Sequence, residues 1–471
     1  MLDLIPPTLA AAAEAAATQP AGGPTPLPVS HTAAALLVIT ALVAWVNVKF
    51  VKLPTTIGVM ALALAASLIA LALHELTGFK LDNVAQRVVS GIDFEAFVLE
   101  GVLGFLLFAG ALHVELNDLL KQKFVILILA TLGVVASTFV VGGLAYLLLP
   151  LFGFELTVPQ ALLLGAVVTP TDPIAVLGLM KSAGVPRELE TKVTGESLFN
   201  DGVGVVVFLA LLGIAYPAAT GHADQEATSR LADIASLFLV EVVGGIVAGL
   251  VCGYVAYLMV KKIDRYSVEV LITVALVTGV YVACGAVNLL GHHLSGPLAA
   301  VVAGLLMGNK GRVTGMSDET REHLDVFWEL VDEVLNAVLF VLIGLEVLVL
   351  EFTGRALLVG AIMIPVVLIA RFVAVGGGVE LLKRANLRTH VAGGTRLVLV
   401  WAGLRGGISV ALALAIPHGG ENRDVIIAVA YIVVAFSILV QGPTVPFVVR
   451  RSVPGVQLGG NTRDHPREGD A

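Results

Sequence analysis

Thirteen apolar stretches of about 20 residues follow one another along this chain, separated by short polar segments. As a helix, a stretch of that length matches the thickness of a bilayer's hydrocarbon core. Charged residues make up only 14% of the sequence, against about 25% in ordinary globular chains. The stretches cover about 32–48, 54–73, 95–114, 124–149, 159–180, 194–218, 232–260, 267–289, 295–309, 326–349, 356–381, 397–417 and 424–448. The pattern predicts an all-α polytopic membrane protein with about 13 transmembrane helices. Fifty glycines fit this, because small residues let membrane helices approach closely.

An odd number of spans puts the termini on opposite sides. Of the 28 Lys and Arg, 21 fall in the segments after odd-numbered spans and only five in the alternate segments. Arg371 and Arg405 lie within spans. The basic side is the cytoplasmic one, so the N-terminus is expected outside and the C-terminus inside. Residues 1–31 are rich in Ala and Pro, and their first 30 carry no Lys or Arg, so they lack a signal peptide's basic region. They read as a disordered or interfacial leader. Residues 32–448 form the membrane domain and 449–471 a short cytoplasmic tail. Residues 74–93 alternate apolar and polar, as an interfacial helix would. Cys252 and Cys284 sit in different spans and read as inert thiols rather than a disulfide framework.

Two spans carry breaks. The fifth contains Thr169-Pro170-Thr171-Asp172-Pro173, with two prolines near its middle. Proline removes a backbone donor and clashes with the preceding turn, so the helix should unwind there. The twelfth contains Gly403-Leu404-Arg405-Gly406-Gly407. The two breaks are seven spans apart. That offset suits an inverted repeat with halves of about 32–218 and 267–448, joined by a span at about 232–260. Paired interruptions are the best sequence pointer to a transporter's binding site, where broken helices cross. Unwound backbone at membrane depth is tolerated only where it is buried in protein or lines a cavity. Asp172 can compensate exposed helix N-termini there, and Arg405 exposed C-termini.

The sixth span opens with Gly195-Glu196-Ser197-Leu198-Phe199-Asn200-Asp201-Gly202. A charged residue inside a span costs roughly 2.5–3.5 kcal/mol even on mild scales, so this cluster implies a polar cargo. Ser197 and Asp201 share a helix face; Glu196 and Asn200 share the adjacent one. A small monovalent cation wants oxygens. The Asp201 carboxylate, Ser197 Oγ and the carbonyls near Thr171 would supply them. A partly dehydrated carboxylate holds either a proton or a cation, and that competition is the minimal chemistry of exchange. Arg371 needs an intramembrane partner, and Glu196 is the candidate. Arg405 would then neutralise Asp172 or the helix ends.

Weaker signals complete the reading. Glu329, Asp332, Glu333 and Asn336 at the head of the tenth span form either an acidic funnel or a solvated helix start. Glu346 lies deeper, near the outer end. Glu100 and Glu241 read as packing or interface carboxylates, and His292-His293 as a loop pair rather than a metal site. Gly195-Glu196-Ser197 lacks the second glycine and the preceding strand of a nucleophile elbow, so an enzyme is not expected. No cofactor and no nucleic-acid partner is expected.

These stretches resemble the sodium/proton exchanger branch of the monovalent cation–proton antiporters, the NhaP/NHE-like proteins. The likeness is carried by Thr169–Val176, Gly195–Gly202, Arg371, Gly403–Gly407 and Ser295–Gly304, and covers roughly 32–448. It implies a homodimer whose core domain moves like an elevator against a dimerisation domain in the plasma membrane. It implies Asp201 as the group that binds cation and proton in turn, and Asn200 as the mark of electroneutral one-for-one exchange. Thr171, Asp172 and Ser197 map onto or near the cation site, Glu196 and Arg371 onto a stabilising ion pair. One departure matters: many relatives have an acidic residue directly after Leu106-Leu107-Phe108, where this chain has Ala109. The expected function is Na⁺/H⁺ antiport serving sodium transport and pH homeostasis. A cation-coupled solute symporter or a channel using the same broken-helix site is the alternative.

Overall fold

The computed structural model describes residues 29–77, 94, 96–172, 176–177, 180, 185–217, 227–348, 353–385 and 393–452. Residues 1–28 of the leader, most of the amphipathic stretch at 74–93, residues 453–471 of the tail and most of the fifth span beyond Asp172 lie outside them.

Helices dominate. In chain order they are α1 (Val29–Val46), α2 (Thr55–Thr77), α3 (Leu103–Leu112, entered through a π-helical turn at Ala96–Val102) and α4 (Lys123–Phe152). Then come α5 (Val158–Val168), α6 (Arg187–Ala215), α7 (Ala227–Val260), α8 (Tyr266–Ala286) and α9 (Gly296–Leu306). The last are α10 (Asp318–Glu346), α11 (Gly354–Arg384), α12 (Gly393–Trp401), α13 (Gly407–Leu414) and α14 (Arg423–Phe436, continuing helically to Ser452). Eight of the described helical stretches are long and apolar enough to cross a membrane. Among the described residues a two-residue hairpin, Asn288–Leu289 with His292–His293, departs from the helical pattern. Its turn residues Leu290 and Gly291 both have positive φ, as such tight turns demand.

The helix starts are written locally. Thr157 and Gln160 form a reciprocal capping box at the head of α5. Ser295, Ser317 and Thr353 cap α9, α10 and α11 by accepting from backbone amides. Side-chain distribution is that of a lipid-immersed protein. Leu132, Phe139 and Leu147 of α4, with Leu239, Val243, Val247 and Val251 of α7, point outward, whereas Thr171, Glu196, Asn200 and Arg405 are buried.

Two packed regions position the site. Trp328 of α10 is fully buried against Phe105 and Phe108 of α3, and its indole donates to Thr273 Oγ1 of α8 at 3.0 Å. Around it lies an apolar cluster drawn from α3 and α7–α10. A second cluster joins α4, α5, α6, α11, α13 and α14. α10 changes character along its length: every residue from Asn336 to Glu346 is buried, while much of its first half is not.

Candidate functional site

Both interrupted spans are broken where Pro170 and the Gly403–Gly407 stretch predict. α5 stops at Val168, and α12 and α13 are separated by Ala402–Gly406. The two unwound segments meet: the Asp172 amide donates to the Leu404 carbonyl at 2.7 Å. Arg405, only 2% exposed, is held between them. Its Nε donates to the Val168 carbonyl at 3.1 Å and its Nη1 to the Gly403 carbonyl at 2.5 Å, while its backbone amide donates to Ser437 Oγ at 2.8 Å. Val168 ends α5 and Gly403 lies just past α12, where partial negative charge collects. Of the two roles open to Arg405 from sequence, these bonds serve the helix ends. The Asp172 carboxylate lies against Gly406, so closely that a Cβ there would collide with it. It thus faces the N-terminal end of α13, the positive end of a helix.

α6 runs unbroken past these segments and presents its polar residues to them. Asn200 Nδ2 donates to Thr171 Oγ1 at 2.7 Å and to Glu196 Oε1 at 3.0 Å, and its Oδ1 accepts the Thr171 amide at 3.0 Å. Thr171 Oγ1 and Ser197 Oγ are 3.0 Å apart. Glu196 is bound by Arg371 of α11 in a two-pronged pair, Nη1 to Oε1 at 2.7 Å and Nη2 to Oε2 at 2.5 Å. Bidentate guanidinium–carboxylate pairs are among the stronger hydrogen bonds a buried charge can find. Gly403 leaves room for this arginine; a Cβ there would sit 2.7 Å from Arg371 Nε.

Asp201 differs from all of these. It is 2% exposed, and its Oδ1 has no hydrogen-bond partner. It lines a cavity of about 40 Å³ with Asp172, Pro170, Thr194 and Asn336. That is room for a dehydrated cation and a water, not for an organic solute. Gly110, Leu177 and Thr194 also line a wider vestibule of about 340 Å³. Its rim carries His113, Glu115, Asp118, Arg187 and Glu190. A hydrogen bond from Lys121 at 2.7 Å holds the Asp118 carboxyl below its ordinary range, so it stays anionic.

Asn336 is the residue whose position sequence reasoning underread. Its sequence places it with Glu329, Asp332 and Glu333 at a helix start, yet it is 1% exposed and lines the same cavity as Asp201. The available signal was its place one turn beyond Asp332, where the apolar run of α10 begins. Ala109 is buried in the cluster around Trp328 and offers the cavity no side-chain oxygen. Among the described residues no group of three or more His, Cys, Asp or Glu could hold a metal ion; His292 Nε2 instead lies 3.0 Å from Ser236 Oγ.

Two interrupted helices joined at their breaks, beside buried carboxylates in an all-α membrane protein, define the secondary-transporter class. Residues 37–451 match the family described as the sodium/hydrogen exchanger, transmembrane. The chain is 48% identical over 426 residues to the Na⁺/H⁺ antiporter NhaP of Pseudomonas aeruginosa, covering 90% of this chain and 97% of that protein. It is 33% identical to the Na⁺/H⁺ antiporter NhaH of Halobacillus dabanensis, covering 86% and 93% of the two. The solved sodium proton antiporter MjNhaP1 of Methanocaldococcus jannaschii shares the fold with a TM-score of 0.67 at 18% identity, covering 92% of this chain and 99% of that one. The chain belongs to the sodium/hydrogen exchanger family of monovalent cation–proton antiporters.

Proposed function

We propose that this protein exchanges one monovalent cation, Na⁺ foremost, for one proton across the plasma membrane, and that Asp201 carries both in turn. The observation that carries the reading is the bare, buried Oδ1 of Asp201, a residue that lines a small cavity beside the joined breaks. A buried carboxylate oxygen without a donor invites a cation or a proton, and only one can neutralise it at a time. Ser197, Thr171 and Asp172 contribute oxygens near it. Asn200 is neutral and already engaged with Thr171 and Glu196, and the Glu196 charge is matched by Arg371. With the Asp172 carboxylate set against the N-terminal end of α13, that leaves Asp201 as the exchanging charge and favours a one-for-one, electroneutral cycle. One pH unit, worth ~1.36 kcal/mol, would then sustain about a tenfold cation gradient.

In this reading the chain inserts with its N-terminus outside and its C-terminus cytoplasmic, so the vestibule faces the cytoplasm. Thirteen spans, in halves of about 32–218 and 267–448, form an inverted repeat within a homodimer. The bundle of α4–α6 and α11–α14 slides as an elevator against α1–α3 and α8–α10. The cavity's size weighs against solute symport. The test is Asp201→Asn in proteoliposomes: Na⁺ added to an acid-loaded vesicle should no longer dequench a pH-sensitive dye, while the protein elutes as wild type does. Wild-type rates in that variant would reject the mechanism.

A further inference from the structure

The amide of Asn336 is oriented by its neighbours. Its Nδ2 donates to the Asp332 carbonyl at 2.8 Å and to Asp332 Oδ1 at 3.2 Å. Both partners are acceptors, so the nitrogen belongs on that side and the flip is decided by the network. Oδ1 is left buried with no partner, in a side chain 1% exposed that lines the Asp201 cavity. The wall contributed by α3 there consists of Leu103, Leu106, Leu107 and Gly110 and offers no side-chain oxygen. Asp201 of α6 and Asn336 of α10, each with one buried unpartnered oxygen, therefore line the same small cavity. Such atoms are costly to bury unless something fills their lone pairs.

We propose that Asn336 Oδ1 is a direct or water-bridged ligand of the transported cation. Hard monovalent cations take neutral carbonyl oxygens as readily as they take water. A neutral amide adds a ligand without adding a charge, so the one-for-one balance at Asp201 is untouched. α10 packs chiefly on α2 and α3, whereas α6 packs chiefly on α4 and α5. On the elevator reading proposed above, on which this step rests, the two oxygens meet only while the site faces the vestibule. Asn336 then sets cation affinity on that face alone.

The experiment compares half-saturating Na⁺ for proton release in everted and right-side-out vesicles. Asn336→Ala should raise it about tenfold on the vestibule face and leave the other face unchanged. Asn336→Asp, which keeps an oxygen there and adds charge but gives up the donations to Asp332, should lower it at alkaline pH; this variant carries the test alone if the alanine form does not fold. Values within twofold of wild type in both variants would mean that the oxygen holds only a structural water, and would overturn the proposal. Equal shifts on both faces would overturn the one-sided role. Melting of the purified protein with NaCl against choline chloride reads binding without transport. Na⁺ stabilisation lost in Asn336→Ala supports the ligand. Retained wild-type stabilisation without any Na⁺, Li⁺ or K⁺ exchange would instead count against the transport reading.

Discussion

Asn200 holds Thr171 at two points, accepting its backbone amide at 3.0 Å and donating to its hydroxyl at 2.7 Å. An unwound residue beside Pro170 has lost its helical partners, and a side chain from α6 replaces them. The same amide donates to Glu196 Oε1. Asn200→Asp would therefore lose both donations and set a second carboxylate against Glu196. The expected outcome is destabilisation of about 1–3 kcal/mol, seen as a lower melting midpoint in detergent. An unchanged midpoint would show that the break does not depend on this residue.

The Glu196–Arg371 pair is buried on both sides, so its members should be coupled. Glu196→Gln or Arg371→Met alone leaves the other charge without its partner, at a cost of about 3–5 kcal/mol. The double variant should lose less than the two single losses combined, since no lone charge survives. A thermal double-mutant cycle measures this. Strict additivity would mean that the two side chains do not stabilise each other.

Arg405 ties the ends of two helices through a planar head with several donors. Lysine keeps the charge but cannot reach both carbonyls with the same geometry. Arg405→Lys is expected to fold with reduced stability and to slow exchange. Arg405→Met, which leaves two helix-end carbonyls bare, should lose about 3 kcal/mol or more, each bond to a charged donor being worth about 1.5–3 kcal/mol. The check is melting together with dye-monitored exchange; equal stability of the lysine and methionine forms would contradict this account.

Equal charges exchanged leave the membrane potential without leverage. Exchange rates in proteoliposomes should stay the same when the potential is clamped at different values with K⁺ and valinomycin, and solid-supported membranes should register no net current on a Na⁺ step. A rate that follows the clamped potential would reject one-for-one stoichiometry.

The breaks and the charged residues could be read before any coordinates, because each departs from what a membrane span tolerates. Proline at 170, the glycines around 405 and the carboxylates at 196 and 201 stand out locally. Partnership was harder. Arg405 could have served Asp172 or the helix ends, and only the contact between the two unwound segments directs its bonds to Val168 and Gly403. Asn336 carried almost no signal, since a polar residue one turn beyond an acidic helix start is usually solvated. The hairpin at 288–293 was hidden inside a run that reads as the end of one span and a loop.

What the sequence determined by itself was the medium and the secondary structure. Apolar runs of bilayer length admit few folds, and Pro and Gly act on their own backbone within a turn or two. Which oxygens converge was decided by tertiary structure alone. Thr171 and Asn200 are 29 positions apart, Glu196 and Arg371 are 175, and Arg405 and Val168 are 237. A hydrogen bond needs its atoms within about 3 Å, and only the packing of α5, α6, α11 and the broken α12–α13 pair brings those atoms that close. The cavity lined by Asp201 and Asn336 is likewise a property of how helices meet.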